Sequence, residues 1–149
     1  MALQQQIDQD IKAAMLAKDD ARLRGLRAIK AALLLAKTEK GASDSLTDET
    51  ETRVLQKLVK QRRESADIYK AQNREDLLTI EMEELAVIEA YLPKQLDREE
   101  IKAYVQKAIQ QVGATGIKDM GKVMGVVNKE LAGKADGKAI SEVVKEALQ

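Results

Sequence analysis

The chain has 149 residues, enough for one ordinary domain or two small helical ones, and is 44% hydrophobic and 34% charged, with Lys+Arg and Asp+Glu both at 25. It has no Cys and no His, which excludes disulfides, cysteine-based zinc or redox chemistry, and the commonest general base and metal ligand. With no Phe or Trp and three Tyr, the core must be built from Leu, Ile, Val, Ala and Met, which favours helices over strands, and the balanced charge leaves only local patches to indicate partners.

From the N-terminus, Leu3, Ile7, Ile11 and Met15 repeat at four-residue steps and predict a first helix ending near Lys18. Asp19 or Asp20 caps a second, with Leu23, Leu26, Ile29 or Lys30, and Leu33 inward until the stretch from Lys40 to Ser45, where GASDS at 41–45 reads as a turn. Thr47 offers a capping hydroxyl, and Asp48, Glu49 and Glu51 suit the positive end of a long third helix that turns Val54, Leu55, Leu58, Val59, Ile68 and Tyr69 inward. After a break at Ala71 to Asn73, Leu78, Met82, Leu85, Ile88 and Leu92 form the stripe of a fourth helix, ended by Pro93.

Pro93 is the expected domain boundary. Beyond it, Asp97 followed three positions later by Glu100 is a variant capping box, opening a helix with Ile101, Tyr104, Val105, Ala108, Ile109 and Val112. Gly113 and Gly116 close that helix and lead into KDMGKVMG at 118–125, which carries two glycines four residues apart. The last helix starts at Asp136, with Ala139 or Ile140, Val143, Val144, Ala147 and Leu148 inward. The expected fold is all-α: an N-terminal subdomain of about four helices, 1–92, and a small C-terminal three-helix subdomain, 93–149.

Residues 1–93 hold 15 basic and 17 acidic side chains and residues 94–149 hold 10 and 8, a split of −2 and +2 that identifies no partner. Within helices, Arg22, Arg24, Arg27 and Lys30, then Lys57, Lys60, Arg62 and Arg63, read as solvated faces with i,i+4 pairs; an RNA-backbone footprint is the alternative. No apolar run approaches the roughly 20 residues of a membrane span, and MALQQQIDQD lacks the segments of a secretory signal. The expectation is a cytoplasmic protein without membrane contact.

Catalytic motifs are not found. Gly133 to Lys138 has the wrong spacing for a phosphate-cradling loop and no hydroxyl after the lysine, and Ser43, Ser45, Ser65 and Ser141 have no histidine or lysine-serine motif to activate them. Glu81 and Glu84, with Glu64 or Glu75, read as an acidic helix surface rather than a metal site, since bundle metal centres pair carboxylates with histidines. No catalytic residue, metal or cofactor is expected.

Around KDMGKVMG, a rotation of about 100° per residue from Met120 puts Val123, Met124, Val127 and Leu131 within about 60°. Lys118, Lys122 and Lys129 fall opposite, at about 160–200°, and Gly121, Gly125, Asn128 and Ala132 form a strip of small side chains between, at about 80–140°. Such a strip admits a close neighbour: either another helix of the same subdomain or an RNA backbone, with the lysines neutralising phosphates and Asn128 reaching a 2′-hydroxyl or base edge. Few aromatics argue against stacking on single strands and for structured RNA read by shape.

Three blocks carry a family resemblance: KQRRESADIYKAQNREDLLTIEMEELAVIEAYLPKQL at 60–96, DMGKVMGVV at 119–127 and GKADGKAISEVVKEAL at 133–148. Together they resemble the GatB/YqeY domain family, and the whole chain is similar to its free-standing members. The resemblance implies the same division into two helical subdomains. It implies also a tRNA-contacting appendage, because the domain forms the tail of the B subunit of the glutamine-dependent amidotransferase that corrects misacylated tRNA, a carbon-nitrogen ligase whose catalytic portion this chain lacks.

Implied partners are therefore tRNA or other structured RNA, and an amidotransferase or aminoacyl-tRNA synthetase; a protein-interaction module without RNA contact is the competing reading. The candidate contact residues are Lys118, Gly121, Lys122, Gly125, Asn128 and Lys129, with Arg62, Arg63 and Arg74 secondary. Arg74 also suits a tether to Glu81 or Glu84, and Tyr91 either covers the core beside Pro93 or presents its ring to a base.

Overall fold

The computed structural model describes residues 2–39 and 46–149; the expected turn at 41–45, with Ser43 and Ser45, lies outside them. The described chain is all-helical and divides into two compact units, Met1–Leu92 and Pro93–Gln149.

The first unit contains α1 (Leu3–Leu16), α2 (Asp20–Glu39), α3 (Asp48–Ala71) and α4 (Glu75–Glu89). Two of the starts and two of the ends have a local cause. Asp19 Oδ1 accepts from the Arg22 N–H at 3.1 Å and Thr47 Oγ1 from the Thr50 N–H at 3.1 Å, satisfying first-turn donors of α2 and α3. Two non-glycine residues in the left-handed region end α1 and α3: Lys18 at φ 56 and Asn73 at φ 58. In both, the next N–H returns five residues, Asp19 to Ala14 O at 3.0 Å and Arg74 to Tyr69 O at 2.8 Å, reversing the chain within three residues.

These reversals make two helix hairpins, α1–α2 and α3–α4, and α2 packs on α4 to join them. Ile7, Leu26, Ile29, Leu33, Leu55, Leu58, Val59, Leu85 and Ile88 close the core between them. Cross-helix ion pairs lie over its rim, Lys30 with Asp8, Arg24 with Glu83 and Arg63 with Glu89. Arg24, Lys30 and Arg63 are thus committed within the unit.

Two inward expectations of this unit are corrected, and in the second unit Ala147, expected inward, is exposed in the final turn before Leu148. Ile68 is 55% exposed, because it lies about 220° around α3 from Leu55. Met82 is 49% exposed, because Glu81, one residue earlier, falls nearer the buried Leu85 side of α4 and takes the half-buried position.

The second unit contains α5 (Arg98–Val112), a 3-10 turn at Ile117–Asp119, α6 (Met120–Glu130) and α7 (Gly137–Leu148). Asp97 Oδ1 accepts from the Glu100 N–H at 2.8 Å to start α5, and Gly113 at φ 67 ends it. Each helix packs on the other two around Ile101, Val105, Ala108, Val123, Val127, Leu131, Ile140, Val143 and Val144. Arg98 forks onto Glu142 at 2.9 Å and Glu146 at 3.0 Å, tying α5 to α7, and the Leu96 N–H donates to Lys134 O at 2.8 Å.

Candidate functional site

The segment between α5 and α6 sets the site. The Thr115 N–H donates to Asp119 Oδ2 at 3.0 Å, with Thr115 Oγ1 3.4 Å from the same oxygen, and the Asp119 N–H returns to Gly116 O at 2.9 Å. The chain therefore tightens into a 3-10 turn before opening into α6 at Met120. Asp119 is held below the usual carboxylate range, first by the Thr115 N–H, with Lys118 and Lys122 adding favourable charge.

This corrects the reading of KDMGKVMG as uninterrupted helix. Lys118 precedes α6, so a constant rotation does not place it on the α6 wheel, and Gly121 lies in the first turn, where helical N–H groups lack intrahelical partners in any case. Gly125 is interior. The core side of α6 is as the spacing requires, with Val123 and Val127 fully buried, Leu131 buried at its end, and Met120 and Met124 half-buried against them.

The other side of α6 is open. Lys118, Gly121, Lys122, Gly125, Asn128 and Lys129 are all exposed, and no ion pair among the described residues engages the three lysines. A Cβ built on Gly121 or Gly125 meets no described atom within 4 Å. A packed neighbouring helix, one of the two explanations for the small-residue strip, is therefore not what occupies it.

The secondary candidates belong to the first unit and are engaged there. Arg63 pairs with Glu89, and Arg62 is half-buried on α3, where its charge acts on the Glu81 carboxyl. Arg74 forks onto Asp76, Nε to Oδ1 at 3.1 Å and Nη2 to Oδ2 at 3.0 Å, rather than onto Glu81 or Glu84. The short sequence separation explains the choice: Asp76 sits at the start of α4, directly beside the residue that precedes the helix.

Tyr91 is half-buried against the first core, and its hydroxyl donates to Asp10 Oδ2 on α1. Burial and Asp10 raise the phenol pKa while Arg22 on α2 opposes them, so α1, α2 and the segment just after α4 meet at one polar pin. Of the two placements the sequence left open for this ring, the structure shows the one against the core, and nothing in helical spacing names Asp10 as its partner. Gly25 was missed also; it is buried against Val87 of α4, and a glycine within the apolar stripe of α2 was its only sequence signal.

Fold and surface define a small all-helical protein of two units, the second exposing a lysine-flanked strip. A model of the Yqey-like protein family matches residues 4–148, and the chain belongs to that family. It is similar to proteins named "Altered inheritance of mitochondria protein 41, mitochondrial" from three fungi. The Pyrenophora tritici-repentis protein is 30% identical over 93% of this chain and 77% of its own length, and that of Clavispora lusitaniae 32% over 88% and 77%. The Vanderwaltozyma polyspora protein is 31% identical over 76% of this chain and 64% of its own length, so the chain spans less than two thirds of that relative. All three carry a mitochondrial name, which overturns the cytoplasmic expectation.

Proposed function

We propose that this chain is a non-catalytic helical protein that binds tRNA or other structured RNA through its second unit, in association with glutamine-dependent transamidation or aminoacyl-tRNA synthesis. The observation that carries the reading is the open strip on α6: two glycines without neighbours, bordered by exposed lysines outside any ion pair among the described residues. A sugar-phosphate backbone can approach closely along such a strip while Lys118, Lys122 and Lys129 neutralise phosphates and Asn128 offers an amide to a 2′-hydroxyl. Membership of the Yqey-like family supports the link to the amidotransferase tail that the sequence blocks resemble.

Replacing the three lysines with alanine tests it. Each neutralised phosphate contributes about 0.9 to the slope of log affinity against log salt, so the triple variant loses affinity for tRNA and about 2–3 of that slope. Unchanged affinity in a folded triple variant removes the assignment. A second reading, a protein-docking module without RNA contact, draws on exposed leucines of the first unit, Leu16 at 87% and Leu35 at 62%. It requires partners that remain bound in a pull-down after nuclease treatment.

A further inference from the structure

We propose that Asp119 limits the affinity of the lysine surface for phosphate backbones, acting as a built-in repulsive charge; this rests on the RNA reading above. The carboxylate is fixed in place, because Oδ2 accepts from the Thr115 N–H at 3.0 Å, and it cannot swing aside without freeing that donor. It is bracketed in sequence by Lys118 and Lys122, and it forms no ion pair with either among the described residues. Its charge is therefore not cancelled by a close contact, yet it lies within the field of both lysines.

A phosphate drawn to Lys118 and Lys122 meets this anion at short range. Through water, one fixed charge about 6–8 Å away lowers affinity about two- to threefold per phosphate, and about four- to tenfold for two. Asp119 thus has two separable functions. Its oxygen shapes the turn into α6, and its charge weakens binding, favouring a ligand that is released readily over one held tightly.

The test separates them with Asp119→Asn and Asp119→Ser, both of which keep an oxygen that accepts from Thr115 but carry no charge. Wild type, the two variants and Lys122→Ala are titrated with a bulk tRNA preparation, after circular dichroism has established that each is folded. The neutral variants are expected to bind about three- to tenfold more tightly at about 0.01 M salt, and the gain shrinks at about 0.15 M as the Debye length contracts from about 30 to about 8 Å. Lys122→Ala binds more weakly than wild type. If Lys122→Ala is weaker while the neutral variants bind no tighter, or their gain is indifferent to salt, the Asp119 proposal alone is overturned. If wild type does not bind, or Lys122→Ala binds as wild type does, the RNA reading falls and takes this proposal with it.

Discussion

Gly25 on α2 and Val87 on α4 approach so closely that a Cβ added at position 25 would lie 2.6 Å from the Val87 Cβ and 2.7 Å from its Cγ1. The obstacle is the root of a β-branched side chain rather than the far end of a flexible one, so the two helices must separate to accept even a methyl group.

Gly25→Ala is therefore expected to destabilise the first unit. Overpacking costs about 1–3 kcal/mol, against which alanine recovers about 1 kcal/mol of helix propensity. The urea midpoint should fall by the equivalent of up to about 2 kcal/mol. A rise would mean that α2 and α4 can part without loss.

Gly121→Ala and Gly125→Ala carry the opposite sign, since a Cβ at either position meets no described atom within 4 Å. Gly125→Ala should stabilise the protein by about 0.5–1 kcal/mol through backbone entropy and helix propensity, and Gly121→Ala by less, because it lies in the first turn. Under the RNA reading both lower tRNA affinity, since a methyl group then stands where the backbone approaches. Stability and affinity moving in opposite directions is the signature to measure; equal or improved affinity would remove the strip from the contact.

The crowded Gly25 and the open Gly121 and Gly125 show how far the sequence could be read. Apolar spacing identified the helices and most core residues because burial follows the 3.6-residue period directly, and the caps at Thr47 and Asp97 were legible because the capping oxygen and its N–H are three residues apart, whereas for α2 the sequence offered Asp19 or Asp20 and the structure uses Asp19. The approach of Gly25 to Val87 was not legible, because it depends on the packing of two helices more than 60 residues apart in sequence. The same limit applies to Tyr91 with Asp10. Around α6, spacing gave the buried face but not the 3-10 turn, which Thr115 and Asp119 set through one short-range hydrogen bond that periodicity does not register.

The Tyr91 hydroxyl pins the end of the first unit to α1, so Tyr91→Phe should cost about 1–2 kcal/mol, the range for a hydrogen bond to a charged group that is only half-buried. Burial, then Asp10, raise this phenol above its ordinary 10.0, while Arg22 lowers it. The folded tyrosine thus keeps its proton to higher pH than the unfolded one, and its contribution is complete below pH 10 and lost as pH rises through the folded value. The wild-type advantage over Tyr91→Phe, followed by chemical denaturation, should be flat through neutral pH and decline above pH 10. An advantage that grows in alkali would contradict the assignment.

Glu81 offers a stabilising substitution with a pH signature. It is half-buried on α4, and burial first, then repulsion from Glu84, raise its carboxyl above the ordinary 4.5, with Arg62 only partly offsetting them. The folded state thus holds this proton more tightly than the unfolded state, so the favourable contribution is complete below pH 4.5 and is lost as pH rises through the folded value. At neutral pH the fold carries an ionised group in a place that disfavours it. Glu81→Gln removes that charge, so the variant should melt at a higher temperature than wild type at neutral pH, and the difference should close as pH falls below 4.5. A variant less stable at neutral pH would mean that attraction to Arg62 outweighs burial and Glu84 together.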